Sequence, residues 1–359
     1  MSLLAAHPRA SFTPPPGSEA TTPAERRGVA RDGVRLLVAT DCGITHHRFS
    51  DLPDVLRPGD LIVVNTSATM PAALRVWRER DHDALVHVAG AVDDGSWVIE
   101  PRRSDNSGPA GDVGIGETIA LAGGTRLTIV DSYPRPGLAQ SRLWRATPDR
   151  PIDLPAHLND HGLPIRYGGV ERWPLDDLQN VYSDEPGSAE MPSAGRPLTE
   201  HVLTRLVVRG VRLAPLVLHT GVSSPEKHEP PSPERFAVPG PTAALVNATK
   251  AEGGRVVAVG TTVVRALETV ADPSGGVSAG VGWTEHVIGP TNPIRLVDGV
   301  ISGLHEPDAS HLLLLEEVAG RDLVQRAYDE AVRQQYLWHE FGDSMLFLPD
   351  CARSSAQAA

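Results

Sequence analysis

The chain has 359 residues, 40% of them apolar and 22% charged, which is length enough for two domains and an ordinary globular composition. Its formal net charge of −12 argues against a generic polyanion binder, because nonspecific nucleic-acid affinity comes from clustered cations. The two cysteines, Cys42 and Cys351, have no ligand spacing around them, so neither a disulfide framework nor a cysteine-based zinc site is expected, and a reducing cytoplasm fits.

The opening Met1-Ser2-Leu3-Leu4-Ala5-Ala6 is too short an apolar run for a signal peptide, and no stretch approaches the roughly eighteen residues of a membrane span, so no membrane association is expected. Residues 1–30, rich in Ala, Pro, Ser and Thr, read as a loosely ordered lead-in. Strands are expected over 34–39, 44–49 and 61–64, the last ending on Asn65. Between residues 72 and 153 short alternating segments (84–88, 97–100, 118–121, 126–130) are separated by Gly/Asp/Ser/Pro clusters, the pattern of a small antiparallel barrel or sandwich. From 154 to 350 helices alternate with strands. A helix over 198–209 has Thr199 as N-cap and Gly210 as its stop, and a strand over 211–218 follows. After the proline-rich connection 221–240, read as a mobile lid, come a helix over 241–252 and a strand over 255–259, which makes a βαβ unit with parallel strands. Helices over 309–319 and 322–335 and a strand over 345–348 close the fold. The expected class is α/β, a parallel or mixed sheet with helices built from 31–71 and 154–350, with the antiparallel β domain inserted.

The strongest local signal is the run from Gly253 to Glu268, Gly-Gly-Arg-Val-Val-Ala-Val-Gly-Thr-Thr-Val-Val-Arg-Ala-Leu-Glu. An apolar strand enters a Gly260-Thr261-Thr262 turn that opens a helix. Free backbone N–H groups, two hydroxyls and the positive helix end then converge at the carboxyl edge of a parallel sheet. Such a place suits a carboxylate, a phosphate or a ribose; the plainer alternative is a simple N-cap. Arg265, one turn in, either reaches the same ligand or pairs with Glu268 three residues on. His219 ends the preceding strand and His305 follows Gly299-Val300-Ile301, so both fall on the same rim and offer groups that titrate near neutrality. Asp81-His82-Asp83, with His87 beyond, lies in a polar turn and is not read as a metal site. Gly114-Ile115-Gly116 lacks the third glycine of a dinucleotide loop, and no nucleophile-elbow or Walker pattern occurs.

Together with Arg57-Pro58-Gly59-Asp60-Leu61, Gln179-Asn180-Val181-Tyr182, Pro192-Ser193-Ala194-Gly195, Val297-Asp298-Gly299 and Gly342-Asp343-Ser344-Met345-Leu346, the 253–268 run resembles the S-adenosylmethionine:tRNA ribosyltransferase-isomerase family of queuosine synthesis. The order and spacing hold over 31–348. The resemblance implies an α/β domain with an inserted β-barrel. It also implies transfer of the ribosyl part of S-adenosylmethionine to 7-aminomethyl-7-deazaguanine in a tRNA anticodon stem-loop, with isomerisation to epoxyqueuosine and release of adenine and methionine. For this chemistry a base must stand near the ribose C5′ proton next to the sulfonium. His305 or His219 is assigned as base or acid and Asp343 as an orienting group. Gly260, Thr261, Thr262, Arg265 and Asn65 are assigned to the donor site, and no metal is expected. Where the family has Asp-Thr-Arg after the asparagine this chain has Thr66-Ser67-Ala68, and Arg196-Pro197-Leu198 stands for Leu-His-Phe. The loop after His219 differs as well, while Glu234 keeps its place. These changes point to a retained donor pocket and an altered acceptor side. They leave two alternatives, the same donor chemistry on a small-molecule amine, or a silent nucleotide- or RNA-binding paralogue. If RNA is the acceptor, Arg196, Arg205, Arg209 and Arg212 are the cations expected to meet its phosphates.

Overall fold

Apolar runs and alternating runs sort the chain into two sheets. The computed structural model describes residues 7–79, 81–138, 141–167, 171–223 and 230–349, with the backbone alone for 81–83. In chain order the strands are β1 Arg35–Thr40, β2 Gly43–Arg48, β3 Leu61–Asn65, β4 Ser67–Thr69, β5 Ala73–Arg78, β6 Asp81–Ala91, β7 Trp97–Arg102, β8 Thr118–Ala120, β9 Arg126–Tyr133 and β10 Leu143–Pro148. They continue with β11 Gly162–Leu163, β12 Glu185–Ser188, β13 Arg212–Leu218, β14 Glu234–Val238, β15 Val256–Val259, β16 Gly280–Thr284, β17 Gly299–Gly303 and β18 Ser344–Phe347. The helices are α1 Leu52–Val55, α2 Leu154–His161, α3 Glu200–Val208, α4 Gly240–Ala251, α5 Thr261–Val270, α6 Ser310–Ala319 and α7 Arg321–Arg333.

The larger sheet runs β16-β14-β13-β3-β15-β17-β18-β1-β2. Its centre, β13-β3-β15-β17, is parallel, and the pairings outside it are antiparallel except β1 with β18. Every residue of β3 and β15 is buried, as strands covered on both faces must be. Their side chains alternate between two cores. Leu61, Val63, Val256 and Ala258 face the core closed by α4 to α7; Ile62, Val64, Val257 and Val259 face the one closed by α3. Each such aliphatic burial is worth about 1.5–3 kcal/mol.

The second sheet closes on itself as β5-β6-β7-β10-β9-β8, with β8 paired back to β5, and β11 adds to β5. It is a six-stranded antiparallel barrel filled by residues such as Val86, Trp97, Ile99, Ile129 and Trp144. The α/β sheet with an inserted barrel therefore holds. The chain leaves the larger sheet at the carboxyl end of β3 and returns through β12, which pairs with β4. The barrel is thus hung on the edge where parallel α/β sheets bind ligands.

Three expectations change. From residue 7 onward the lead-in packs rather than floats: Phe12 stacks on Tyr328 at 4.3 Å, and Glu316 accepts hydrogen bonds from the backbone of Arg9 and Ala10 at 2.7 Å. Its compositional bias hides a few anchoring residues. Of the expected lid, residues 224–229 lie outside the described residues, while Glu234–Val238 is β14, paired on both sides and hence part of the sheet. Cys42, in the turn between β1 and β2, is disulfide-bonded, and its lack of ligand spacing gave no sign of this; Cys351 lies outside the described residues.

Candidate active site

The carboxyl ends of β3, β13, β15 and β17 form one rim. At its centre Gly260 adopts φ +88° and ψ 157°, a region open to glycine alone, and its N–H donates to Ile301 O at 2.8 Å. That twist turns β15 directly into α5. No side chain caps α5, so its first N–H groups face the rim with the hydroxyls of Thr261 and Thr262, and the helix dipole adds positive potential. An anion is the natural complement.

Asn65, at the end of β3, is buried and fully engaged. Its Oδ1 accepts from Leu218 N at 2.9 Å and Ser67 N at 3.1 Å; its Nδ2 donates to Leu218 O at 2.8 Å and lies 3.4 Å from Thr262 Oγ1. It ties the ends of β3 and β13 together. His219 follows β13. Its Nδ1 is 2.7 Å from Ser67 Oγ, which is in turn 2.6 Å from Ser188 Oγ. Gly187 lets the ring lie this close, since a Cβ there would be 2.2 Å from His219 Nδ1. Burial first, and the Arg235 charge second, push the imidazole below its usual value, so it is neutral at neutral pH. With Nδ1 tied to Ser67, Nε2 is the position left to exchange a proton.

His219 borders a cavity of about 290 Å³ between rim and barrel. Met70, Val98, Leu143, Leu154 and Trp283 make its apolar wall, and Glu234, Tyr133 and Arg235 add polar groups. Glu234 is the partner of Arg265, whose guanidinium also donates to the carbonyls of His286 at 3.1 Å, Ser232 at 3.2 Å and Thr284 at 3.3 Å. Arg265 is thus engaged by four protein groups. Glu268 does not pair with it; the Glu268 carboxylate accepts from the backbone of Arg295, Leu296 and Val297.

His305 lies beyond β17, with Nε2 at 2.7 Å from Ser302 Oγ and its ring stacked on His311 at 4.5 Å. Burial, then the neighbouring His311, holds it well below its usual value. Three strand spacings, about 14 Å, separate β17 from β13, so the two histidines serve opposite ends of the rim. Asp343 meets neither. It accepts from Arg35 N and Leu337 N, both at 2.8 Å, and pairs with the Arg35 guanidinium at 2.8 Å, which locks the start of β1 to that of β18.

The four arginines expected to face RNA are neutralised. Arg196 is buried against Glu25 and the Phe341 ring, Arg205 and Arg209 share Asp54, and Arg212 pairs with Glu252. Arg172 lies near Arg166 and Arg75; burial and then the like charges of these two neighbours hold it below its usual range. Among the described residues no group of three His, Cys, Asp or Glu side chains is placed to hold a metal, and no helix is long and apolar enough to cross a membrane. Sequence reasoning missed Ser67, Ser188 and Gly187, which orient His219, because they meet it only through the β4–β12 pairing. It also missed Glu190 and Glu340, which stand in aperiodic loops; the neighbouring Pro192-Ser193-Ala194-Gly195 was the one available pointer.

Residues 9–347 match the family model described as queuosine biosynthesis protein. Proteins named S-adenosylmethionine:tRNA ribosyltransferase-isomerase from Symbiobacterium thermophilum and Acidiphilium cryptum are 36% and 35% identical to this chain. The alignments cover 89% of this chain and 94% of the first protein, and 92% of this chain and 96% of the second. A crystal structure of S-adenosylmethionine tRNA ribosyltransferase from Thermotoga maritima is similar over 94% of this chain and 99% of that one, with 27% identity and a TM-score of 0.52.

Proposed function

Because the chain belongs to the queuosine biosynthesis family of S-adenosylmethionine:tRNA ribosyltransferase-isomerases, we propose that it transfers the ribosyl group of S-adenosylmethionine to 7-aminomethyl-7-deazaguanine in a tRNA anticodon stem-loop. Isomerisation gives epoxyqueuosine, and adenine and methionine leave. The reaction belongs in the cytoplasm, with tRNA.

The observation that carries this reading is the uncapped α5 terminus beside a neutral, oriented imidazole, on one rim and under a barrel-roofed cavity. The Gly260, Thr261 and Thr262 amides and hydroxyls hold an anionic or hydroxyl-rich part of the donor, its carboxylate or ribose. His219, held by Ser67, accepts a proton at Nε2. His305, neutral and across the rim, serves the leaving adenine end. Asn65, Arg265 and Asp343 act as positioning residues: Asn65 ties the rim together, Arg265 sets Glu234 in the cavity wall, and Asp343 fixes the start of β18. Trp283 and its apolar neighbours exclude water from the reacting centre.

The arginine cluster around Arg172 suits RNA phosphate, whereas the four neutralised arginines favour a second reading in which the acceptor is a free small amine. Chromatographic measurement of adenine release decides between them. Release should require S-adenosylmethionine together with tRNA carrying the aminomethyl base. Equal release with the free base would establish the second reading, and no release with either would remove both.

A further inference from the structure

A second cavity, of about 50 Å³, opens beside the first. The segment 186–191 borders both: Pro186 and Gly187 line the larger cavity, while Ala189, Glu190 and Met191 line the smaller. Tyr167, Trp173 and Phe341 wall it with aromatic rings, and Glu190 and Glu340 supply two carboxyl groups, with the exposed Glu171 a third. Its volume is several times the roughly 10–15 Å³ that one water requires.

The two glutamates differ in how they are held. Glu190 is buried; it accepts from Ser223 N at 2.8 Å and from the hydroxyls of Tyr167 and Ser223. Glu340 is half-buried and lines the cavity, and its carboxyl has no hydrogen-bond or ion-pair partner among the described residues. Burial pushes each carboxyl up to about 7, and the charge on Glu340 adds to the shift at Glu190. A buried carboxylate is ordinarily paired, since its ionised form is costly to leave alone in an apolar setting. Glu340, with no partner among the described residues and a second carboxyl near it in an aromatic-walled cavity, is arranged for a cation that comes from outside.

We propose that this cavity receives the primary ammonium of the acceptor's aminomethyl arm, held between Glu340 and Glu190 with the aromatic rings around it. The inference rests on the proposed function and specifies its acceptor site. Position supports it. Four residues after Glu190, Ala194 lies where a Cβ on Gly260 would touch it at 3.4 Å, and Glu340 lies four residues before Ser344, the first residue of β18. The two glutamates therefore belong to segments that lead into the rim, at Gly260 and at the pairing of Ser344 with Gly303. The size suits an aminomethyl group, not a whole base, so the base lies at the mouth, where Arg166 stands. Aromatic faces add cation–π attraction for a desolvated ammonium.

The test compares two anticodon stem-loops that differ only in carrying 7-aminomethyl-7-deazaguanine or guanine, with affinity read by fluorescence anisotropy at pH 8, where both carboxyls are ionised. The wild-type protein should prefer the aminomethyl RNA at least tenfold. Glu340→Gln and, separately, Glu190→Gln should reduce that preference below threefold while leaving the affinity for guanine RNA unchanged. Glu340 has no bond to lose, so its variant should keep the wild-type melting temperature and decides the matter even if Glu190→Gln fails to fold. No wild-type preference, no binding of either RNA, or a preference intact in Glu340→Gln overturns the proposal. Adenine release by the wild-type protein reports on the function separately: release without amine preference removes this inference alone, and preference without release removes the function alone.

Discussion

Asn65 grips both backbone groups of Leu218, donating from Nδ2 to its carbonyl at 2.8 Å and accepting its amide at Oδ1 at 2.9 Å. One side chain thereby joins the ends of β3 and β13, and Thr262 Oγ1 lies 3.4 Å from the same Nδ2. Asn65→Ala removes the partner of three buried backbone groups, Leu218 N, Leu218 O and Ser67 N, and should cost about 2–4 kcal/mol in urea unfolding. A cost under about 0.5 kcal/mol would show that the rim does not depend on this link.

Gly187 packs against the ring of the proposed base. A methyl group there would meet the His219 ring at 2.2–2.5 Å. Gly187→Ala should move the ring off Ser67 and cut kcat more than tenfold with KM for S-adenosylmethionine changed less than threefold. Equal kcat in the two proteins would separate His219 from the proton transfer.

How much of this was legible in the sequence follows the range of the interactions. The Gly260-Thr261-Thr262 turn, the Thr199 cap and the βαβ unit are local, and residues a few positions apart carry them; Thr199 Oγ1 indeed accepts from Val202 N at 3.3 Å. Alternation marked the barrel strands, although closure through β5 and β8 is not written in any one of them. What stayed hidden is long-range pairing. Arg265 reads in sequence as reaching the ligand or pairing three residues on, and its partner is Glu234, 31 positions earlier; Asp343 holds Arg35, 308 positions away. Charge composition misled in the same way, because Arg196, Arg205, Arg209 and Arg212 meet acids that only the fold brings to them.

The Arg265–Glu234 pair is buried, so removing one partner strands the other. Arg265→Ala should lower stability by about 3–5 kcal/mol, and Glu234→Gln in the same chain should recover part of it. Calorimetric unfolding of the single and double variants measures the coupling. A stable Arg265→Ala protein that merely loses affinity for S-adenosylmethionine would return Arg265 to the donor site.

His87 is buried in the barrel, with neither ring nitrogen hydrogen-bonded and an edge-on contact to Tyr167 at 5.8 Å. Burial first, then the charges of Arg102, Arg172 and Arg142, lowers it to about 3, so the ring is neutral and its 4.0 Å approach to Glu100 is not an ion pair. Unfolded, the ring takes a proton near pH 6.5. The unfolded state therefore binds more protons between 6.5 and about 3, and stability falls as pH drops through that window. His87→Phe removes this loss. Its stability advantage over the wild-type protein should grow by about 2–3 kcal/mol between pH 7 and pH 4.5, since each unit is about 1.4 kcal/mol. A gap independent of pH would mean that the ring is protonated in the fold.

The central claim is chemical, and nucleoside mass spectrometry of tRNA from the host tests it most directly, with the gene present, deleted, and restored as wild type or as His219→Ala. Epoxyqueuosine should disappear on deletion, with 7-aminomethyl-7-deazaguanine accumulating in its place, and should return with the wild-type gene but not with His219→Ala. Unchanged epoxyqueuosine in the deletion strain, or full restoration by His219→Ala, would contradict the account.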